Sequence, residues 1–263
     1  VSSFADEQTQ YHSIEEQIAL QAKNINRAHR YLAYFQAYTS TYAEVEYLRT
    51  LYETALLQAD MVGLCVGTRP DCVPIRVLDL LQGYRDQGYE VWLELGLQTA
   101  HDKTLKRINR GHDFQCYQAT TREARRRGLK VCTHLIIGLP REDHQLNMQT
   151  LEHVVDTGTD GLKLHPLHIV DGSTIAKAWK AGRINALTQE QYVYTAGEMI
   201  RHTPPEIIYH RVCASARKPT LLAPAWCENH WLGMNALYQD LLKKGVQGSG
   251  INKAFLFNTR LNK

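Results

Sequence analysis

The feature that most constrains this chain is an alternation of short β-rich runs with amphipathic helical ones. Runs rich in Val, Ile, Leu, Tyr and Phe start near 31, 61, 90, 130, 161 and 207, and a helical pattern fills each gap. Gaps of that length, each holding a helix, are βαβ crossovers, which are right-handed and build a parallel sheet. The pattern predicts an α/β protein, as either an open doubly wound sheet or an incomplete β/α barrel. No GxGxxG or GxxxxGKS/T follows any of these runs, which counts against a nucleotide-binding doubly wound fold.

The central run is Val91-Trp92-Leu93-Glu94-Leu95-Gly96-Leu97-Gln98-Thr99. As a strand it sends Val91, Leu93, Leu95 and Leu97 to one side, and Trp92, Glu94, Gly96 and Gln98 to the other. An apolar face against helices and a polar face toward a lumen suit a parallel barrel strand. An ordinary buried strand with one satisfied carboxylate is the plainer alternative. Gln98 falls at the C-terminal end, where α/β folds place their ligands.

The order of elements follows from caps and breakers. Ser13 with Glu16 three residues on is a capping box opening a helix through Ile14, Ile18, Ala22 and Ile25. Helices are expected over 42–57, 74–88, 101–108, 115–128, 143–156, 173–181, 189–202 and 228–244. Strands are expected over 31–38, 61–66, 130–137, 161–170 and 207–212. The barrel is expected over 1–245, as a core of 1–212 and a helical extension of 213–245. Residues 246–263, opened by Gln247-Gly248-Ser249-Gly250, read as a linker-like tail.

At 263 residues the chain can bury one large core or two modest ones. No run approaches the ~18 apolar residues of a membrane span, and no basic-then-apolar leader opens the chain. A net charge of +3 is too small to argue for nucleic acid. Arg122, Arg125, Arg126, Arg127 and Lys130 form a local run, read as a solvated helix face with a polyanion contact as the alternative. Cys65, Cys72, Cys116, Cys132, Cys213 and Cys227 include no CxxC pair, which fits a reducing cytoplasm better than a disulfide framework. Cys65 and Cys132 sit in apolar runs as small buried hydrophobes.

The strand ends collect Gln36 and Thr39, Thr68 and Arg69, Glu94 and Gln98, His134, then Lys163, His165 and His168. A hydrolytic carboxylate pair needs two acids at one rim, where only Glu94 clearly offers itself, and no Gly-x-Ser-x-Gly nucleophile elbow is present. Such a rim suits a polar, zwitterionic or ribose-bearing ligand, and Arg110, beyond the next helix, would bind a carboxylate bidentately. His12, His29, His101, His144, His153 and His202 read as surface positions. His165 and His168, three apart on one strand, are expected on opposite faces, which disfavours a shared metal.

Several of these stretches together resemble the radical S-adenosylmethionine (SAM) superfamily, and within it the YhcC/YtqA-like group. Relatives of that group include the elongator catalytic subunit and oxygen-independent coproporphyrinogen oxidase. The matching text is Ser3-Phe4-Ala5-Asp6-Glu7, Tyr34 to Thr41, Gly67-Thr68-Arg69-Pro70-Asp71, Glu94 to Thr99 with Asn109 to His112, His134 to Pro140, and Lys163 to His168 with Gly172-Ser173-Thr174. The resemblance implies a partial (β/α)6 TIM-like barrel with SAM across the strand ends. Gln36 to Thr39 take the place of the motif that binds the methionine amine, usually Gly-Gly-Glu, and Thr68 lies at the next strand end. Gln98 and Arg110 match ribose and carboxylate contacts. Ile136 to Leu139, including Gly138, match the adenine side, while His134 replaces an acid of some relatives.

The resemblance also implies a [4Fe–4S] cluster held by three cysteines whose open iron chelates SAM. Those cysteines and the first strand are expected before Val1, in a longer protein; the chain as it stands would be inactive without them. The implied activity is reductive SAM cleavage to a 5′-deoxyadenosyl radical, fed by a flavodoxin or ferredoxin. Glu94, Lys163 and His165 face the substrate, with tRNA as a possible one through the elongator kinship. A non-radical barrel enzyme using Lys163 in a Schiff base, or a cluster-free RNA- or protein-binding barrel, are the competing expectations.

Overall fold

A computed structural model of the chain describes residues 13–22, 30–36, 40–58 and 60–251. Its elements are α1 (Ile14–Ala22), β1 (Tyr31–Phe35), α2 (Val45–Leu56), β2 (Met61–Thr68), α3 (Ile75–Asp86), β3 (Glu90–Gln98), α4 (Asp102–Arg107) and α5 (Phe114–Arg126). They continue as β4 (Lys130–Ile137), α6 (His144–Thr157), β5 (Gly161–Pro166), β6 (Ile169–Val170), α7 (Thr174–Lys180), α8 (Gln189–Arg201), β7 (Ile208–Arg211), β8 (Leu221–Ala223) and α9 (His230–Lys244).

One six-stranded sheet has the order β1-β2-β3-β4-β5-β7, and β6 and β8 form a second, antiparallel pair. The pairs β1–β2, β2–β3 and β5–β7 are all parallel, as the crossover spacing requires. Sequence order is preserved along the large sheet, the arrangement of a β/α barrel rather than of a doubly wound sheet with a switch point. The chain divides into two compact units, Val1–Leu97 with Gln115–Cys132, and Gln98–Phe114 with Thr133–Lys263.

Local chemistry fixes the helix ends. Ser13 and Glu16 form the expected capping box, with Ser13 N–H donating to Glu16 Oε2 at 3.0 Å and Glu16 N–H to Ser13 Oγ at 3.2 Å. The rest of that expected helix, to Ile25, lies outside the described residues. Asp143 caps α6 by accepting from Leu146 N–H, and Gly158 ends it in the left-handed conformation. A second capping box, Thr188 with Gln191, opens α8. Among the described residues no helix is long and apolar enough to cross a membrane.

Three expectations are corrected. The strand expected over 161–170 stops at Pro166, because Leu167 N–H turns away to donate to Ile137 O at 2.8 Å, and Ile169–Val170 pairs with β8 instead. The helix expected from 228 starts at His230, after a 3-10 turn over Ala225–Glu228. Arg127 is not on a solvated face: it is 9% exposed, and its Nε donates to Asp79 Oδ1 at 2.9 Å while Nη1 reaches Glu123.

Candidate functional site

In the first unit the expected residues sit on β1, β2 and β3. Gln36 is exposed just past β1, whereas Thr39 and the Ser3–Glu7 stretch lie outside the described residues. Thr68 is the last residue of β2 and buried. Its hydroxyl lies 2.6 Å from that of Thr41, and Thr41 in turn donates its one proton to Cys72 O at 2.5 Å. Thr68 must therefore be the donor to Thr41, and it keeps lone pairs to accept with. Thr41 closes the matching Tyr34 to Thr41 stretch but is not singled out by sequence, because a loop threonine gives no periodic signal.

Glu94 is 1% exposed, and Tyr34 Oη donates to its Oε2 at 2.7 Å. A buried carboxylate needs such donors, since desolvating it alone costs several kcal/mol. Cys65, Trp92 and Cys132 pack together in the interior of this unit, as small hydrophobes should. Trp92 Nε1 donates to Glu90 Oε1 at 2.8 Å, and Lys130 Nζ lies 5.3 Å from the Trp92 ring centre.

In the second unit Gln98 closes β3 with φ +79°, a left-handed value uncommon for glutamine. It is half-buried, and its amide makes no hydrogen bond among the described residues. Arg110 Nε–H donates to His112 Nε2 at 3.3 Å; His112 is 7% exposed and was not singled out by sequence, although it closes the Asn109-Arg110-Gly111-His112 stretch. At the end of β4, His134 and Ile136 are half-buried, while Ile137 and Leu139 are buried. Gly138 turns there with φ +94°, and a Cβ on it would meet Leu187 at 3.1 Å.

Lys163 is 9% exposed and pairs in register with Arg211 of β7. His165 and His168 are not on opposite faces. Their ring centres are 4.4 Å apart, because the strand that would have separated them ends at Pro166. Burial holds both rings below the usual histidine range, His165 at about 3 and His168 at about 4, with Arg211 adding to the effect on each. His165 Nδ1 lies 2.6 Å from Pro166 O, so a neutral ring donating from Nδ1 satisfies both groups. His101 and His144 are also half-buried rather than on the surface: His101 Nε2 lies 2.9 Å from Leu146 O, and the His144 ring lies 4.7 Å from that of Tyr194.

Each strand end, taken by itself, carries groups of the kinds that SAM's polar atoms need. Thr68 offers acceptors for an ammonium, Gln98 an amide for ribose hydroxyls, and Arg110 a guanidinium for a carboxylate. The cysteines do not fit a [4Fe–4S] cluster. Cys65, Cys132, Cys213 and Cys227 are buried, and no three cysteine sulfurs converge among the described residues. Burial pushes the Cys213 thiol up to about 11 and that of Cys227 higher still, away from the thiolate a metal needs.

Known proteins resemble this chain over most of its length. Residues 2–154 match the radical SAM superfamily model, and residues 159–243 match the radical SAM C-terminal domain model. Protein YhcC of Escherichia coli is 69% identical over 97% of this chain and 83% of its own length. The uncharacterised protein YtqA of Bacillus subtilis is 38% identical over 90% of this chain and 72% of its own. Among solved structures, the Elp3 of the archaeon Methanocaldococcus infernus superposes with a TM-score of 0.75 at 20% identity. The match covers 89% of this chain and 59% of that one, and shows the shared partial-barrel fold.

Proposed function

The chain belongs to the radical SAM superfamily, in its YhcC-like group, and on that premise we propose that it binds SAM across its strand ends and abstracts hydrogen from a substrate. The observation that carries this is positional. The stretches that resemble the family's SAM contacts fall at the C-terminal ends of successive parallel strands: Gln36 after β1, Thr68 closing β2, Gln98 closing β3, and Ile136 to Leu139 at the end of β4.

When bound, SAM with a [4Fe–4S] cluster would supply a primary carbon radical able to take a hydrogen atom from substrate; the ligands of that cluster are not these six cysteines. The chain's own residues orient and exclude water. Thr68 accepts from the amino group, its proton being committed to Thr41. Gln98 and Arg110 hold ribose and carboxylate, and His112 holds Arg110 in place. Ile136 and Leu139 cover the adenine beside Gly138. Glu94, Lys163 and His165 face the substrate. With its ring neutral and its Nδ1–H donated to Pro166 O, His165 can accept a hydrogen bond there at Nε2 without adding charge.

The test is anaerobic iron–sulfur reconstitution of the whole gene product, followed by dithionite with SAM and chromatography for 5′-deoxyadenosine. A brown protein that releases 5′-deoxyadenosine is the expected result. A protein that takes up iron and sulfide but releases none, or that binds no SAM by calorimetry, would overturn the proposal in favour of a non-radical barrel.

A further inference from the structure

One cavity in the second unit is only partly used above, through Gly138 and Leu139 of its lining, the proposed adenine contacts. It measures about 1300 Å³ and lies beside the end of β4, enclosed by the end of α4, the start of α6, α7, the 183–187 loop and α8. Four cations line it: Arg107, Arg141, Lys177 and Arg183. Arg107 is tied to Pro140 O at 3.0 Å, whereas Arg141, Lys177 and Arg183 form no ion pair among the described residues. The two acids in the lining are already engaged. Glu142 Oε1 accepts from Thr99 Oγ1 at 2.7 Å, and Asp143 Oδ1 accepts from Leu146 N–H as the cap of α6.

The remaining walls are apolar and aromatic. Ile175, Ile184 and Leu187 line one part, and the His144 and Tyr194 rings, 46° apart, line another. Tyr194 is 50% exposed, so its ring face is open to a ligand. SAM does not suit this lining: with a sulfonium, an ammonium and one carboxylate it carries net positive charge and would be repelled. The cavity shares Gly138 and Leu139 with the proposed adenine contact, while Ile137 lines it and Ile136, on the opposite side of β4, does not.

Exposed arginines are often merely solvated. Arg141 is more demanding, because it holds φ +67° in an exposed loop, a conformation glycine adopts without strain and arginine does not. Its side chain makes no hydrogen bond among the described residues that would compensate for that strain.

We propose that this cavity binds a nucleotide, its phosphate held by Arg141, Lys177 and Arg183 and its base set against the His144–Tyr194 rings. The nucleotide is either free or part of a single-stranded RNA. Guanidinium and ammonium groups recognise phosphate, and aromatic rings stack bases of any identity. The inference extends the radical reading to a class of ligand but does not depend on it, since binding requires neither cluster nor SAM.

The test is fluorescence anisotropy of a labelled hexaribonucleotide with the intact protein at low salt. Unlabelled AMP, adenosine and SAM serve as competitors. Binding should weaken with salt. Lys177→Gln/Arg183→Gln should weaken it about tenfold and flatten the salt slope by roughly 1 to 2. Arg141→Gly should weaken it several-fold while the melting temperature holds or rises, a combination that a structural role would not give. Arg126→Gln, on α5, should leave binding unchanged. Full displacement by AMP would assign a free nucleotide; RNA binding that AMP cannot displace would assign an RNA segment. Binding equal in wild type and the double variant, equal competition by adenosine and AMP, or displacement by SAM would each overturn the proposal.

Discussion

Acid should destabilise this protein through His165 and His168 before it protonates the carboxylates. An unfolded histidine titrates near 6.5, whereas in the fold His165 is held at about 3 and His168 at about 4. Between those values the unfolded chain binds more protons than the folded one. The stability contributed by the neutral rings is therefore complete above 6.5 and falls as pH drops toward 4 and then 3. Each ring held neutral loses about 1.4 kcal/mol per pH unit below 6.5. From about pH 7 to about pH 5 that is roughly 2 kcal/mol per ring, and partial solvent access to both trims the pair to about 3 kcal/mol. Urea unfolding followed by tryptophan fluorescence, at both pH values, would measure it for the wild type and for His165→Gln/His168→Gln. The wild type should lose about 3 kcal/mol more than the variant on acidification. Equal losses would mean that the rings are solvated in the fold, and would sink the reasoning.

Two further perturbations probe the interior. Tyr34→Phe removes a donor from the buried Glu94 carboxylate and should cost about 1–3 kcal/mol; an unchanged urea midpoint would show that its other contacts suffice. Arg127→Met breaks the links from Arg127, just past α5, to Asp79 of α3 and Glu123 of α5, and should cost about 1–2 kcal/mol, the partner carboxylates being free to rehydrate. A melting curve identical to wild type would show that the pair is inert.

Much of the fold was legible because period and spacing are local. The starts of β1 to β5 follow from where apolar runs begin after Gly or polar turns, and the Ser13–Glu16 box is short-range chemistry. What was not legible depends on contacts distant in sequence. The break after Pro166 needs Ile137 O, thirty residues earlier, as the acceptor for Leu167. That break decides whether His165 and His168 face apart or touch. Arg127 looked solvated because the Asp79 it reaches lies on another helix. The order of the candidate SAM positions was readable from motifs. The basic cavity was not, since its cations come from four separate segments, each of which reads alone as an ordinary charged surface.

Backbone strain offers a reading independent of both motif and charge. Four residues other than glycine hold positive φ among those described: Asp60, Gln98, Asn109 and Arg141. Asp and Asn tolerate that region, and Asp60 serves an evident structural end, its carbonyl accepting from Tyr31 N–H at the start of β1. Gln98 and Arg141 are different, each costing about 1 kcal/mol where glycine would cost little. One stands at the proposed ribose contact and the other at the mouth of the cavity. Strain of this kind persists where the surrounding structure imposes it, and it gathers at sites where ligands bind. If the strain were incidental, Gln98→Gly would leave SAM affinity unchanged while relieving about 1 kcal/mol. If the side chain is held there to meet the ribose, the same change should weaken SAM binding about tenfold in calorimetry, the worth of one well-placed hydrogen bond, without lowering the melting temperature. Stability and affinity moving in opposite directions at Gln98 would mark it as a binding residue, and a parallel loss of both would mark it as part of the scaffold.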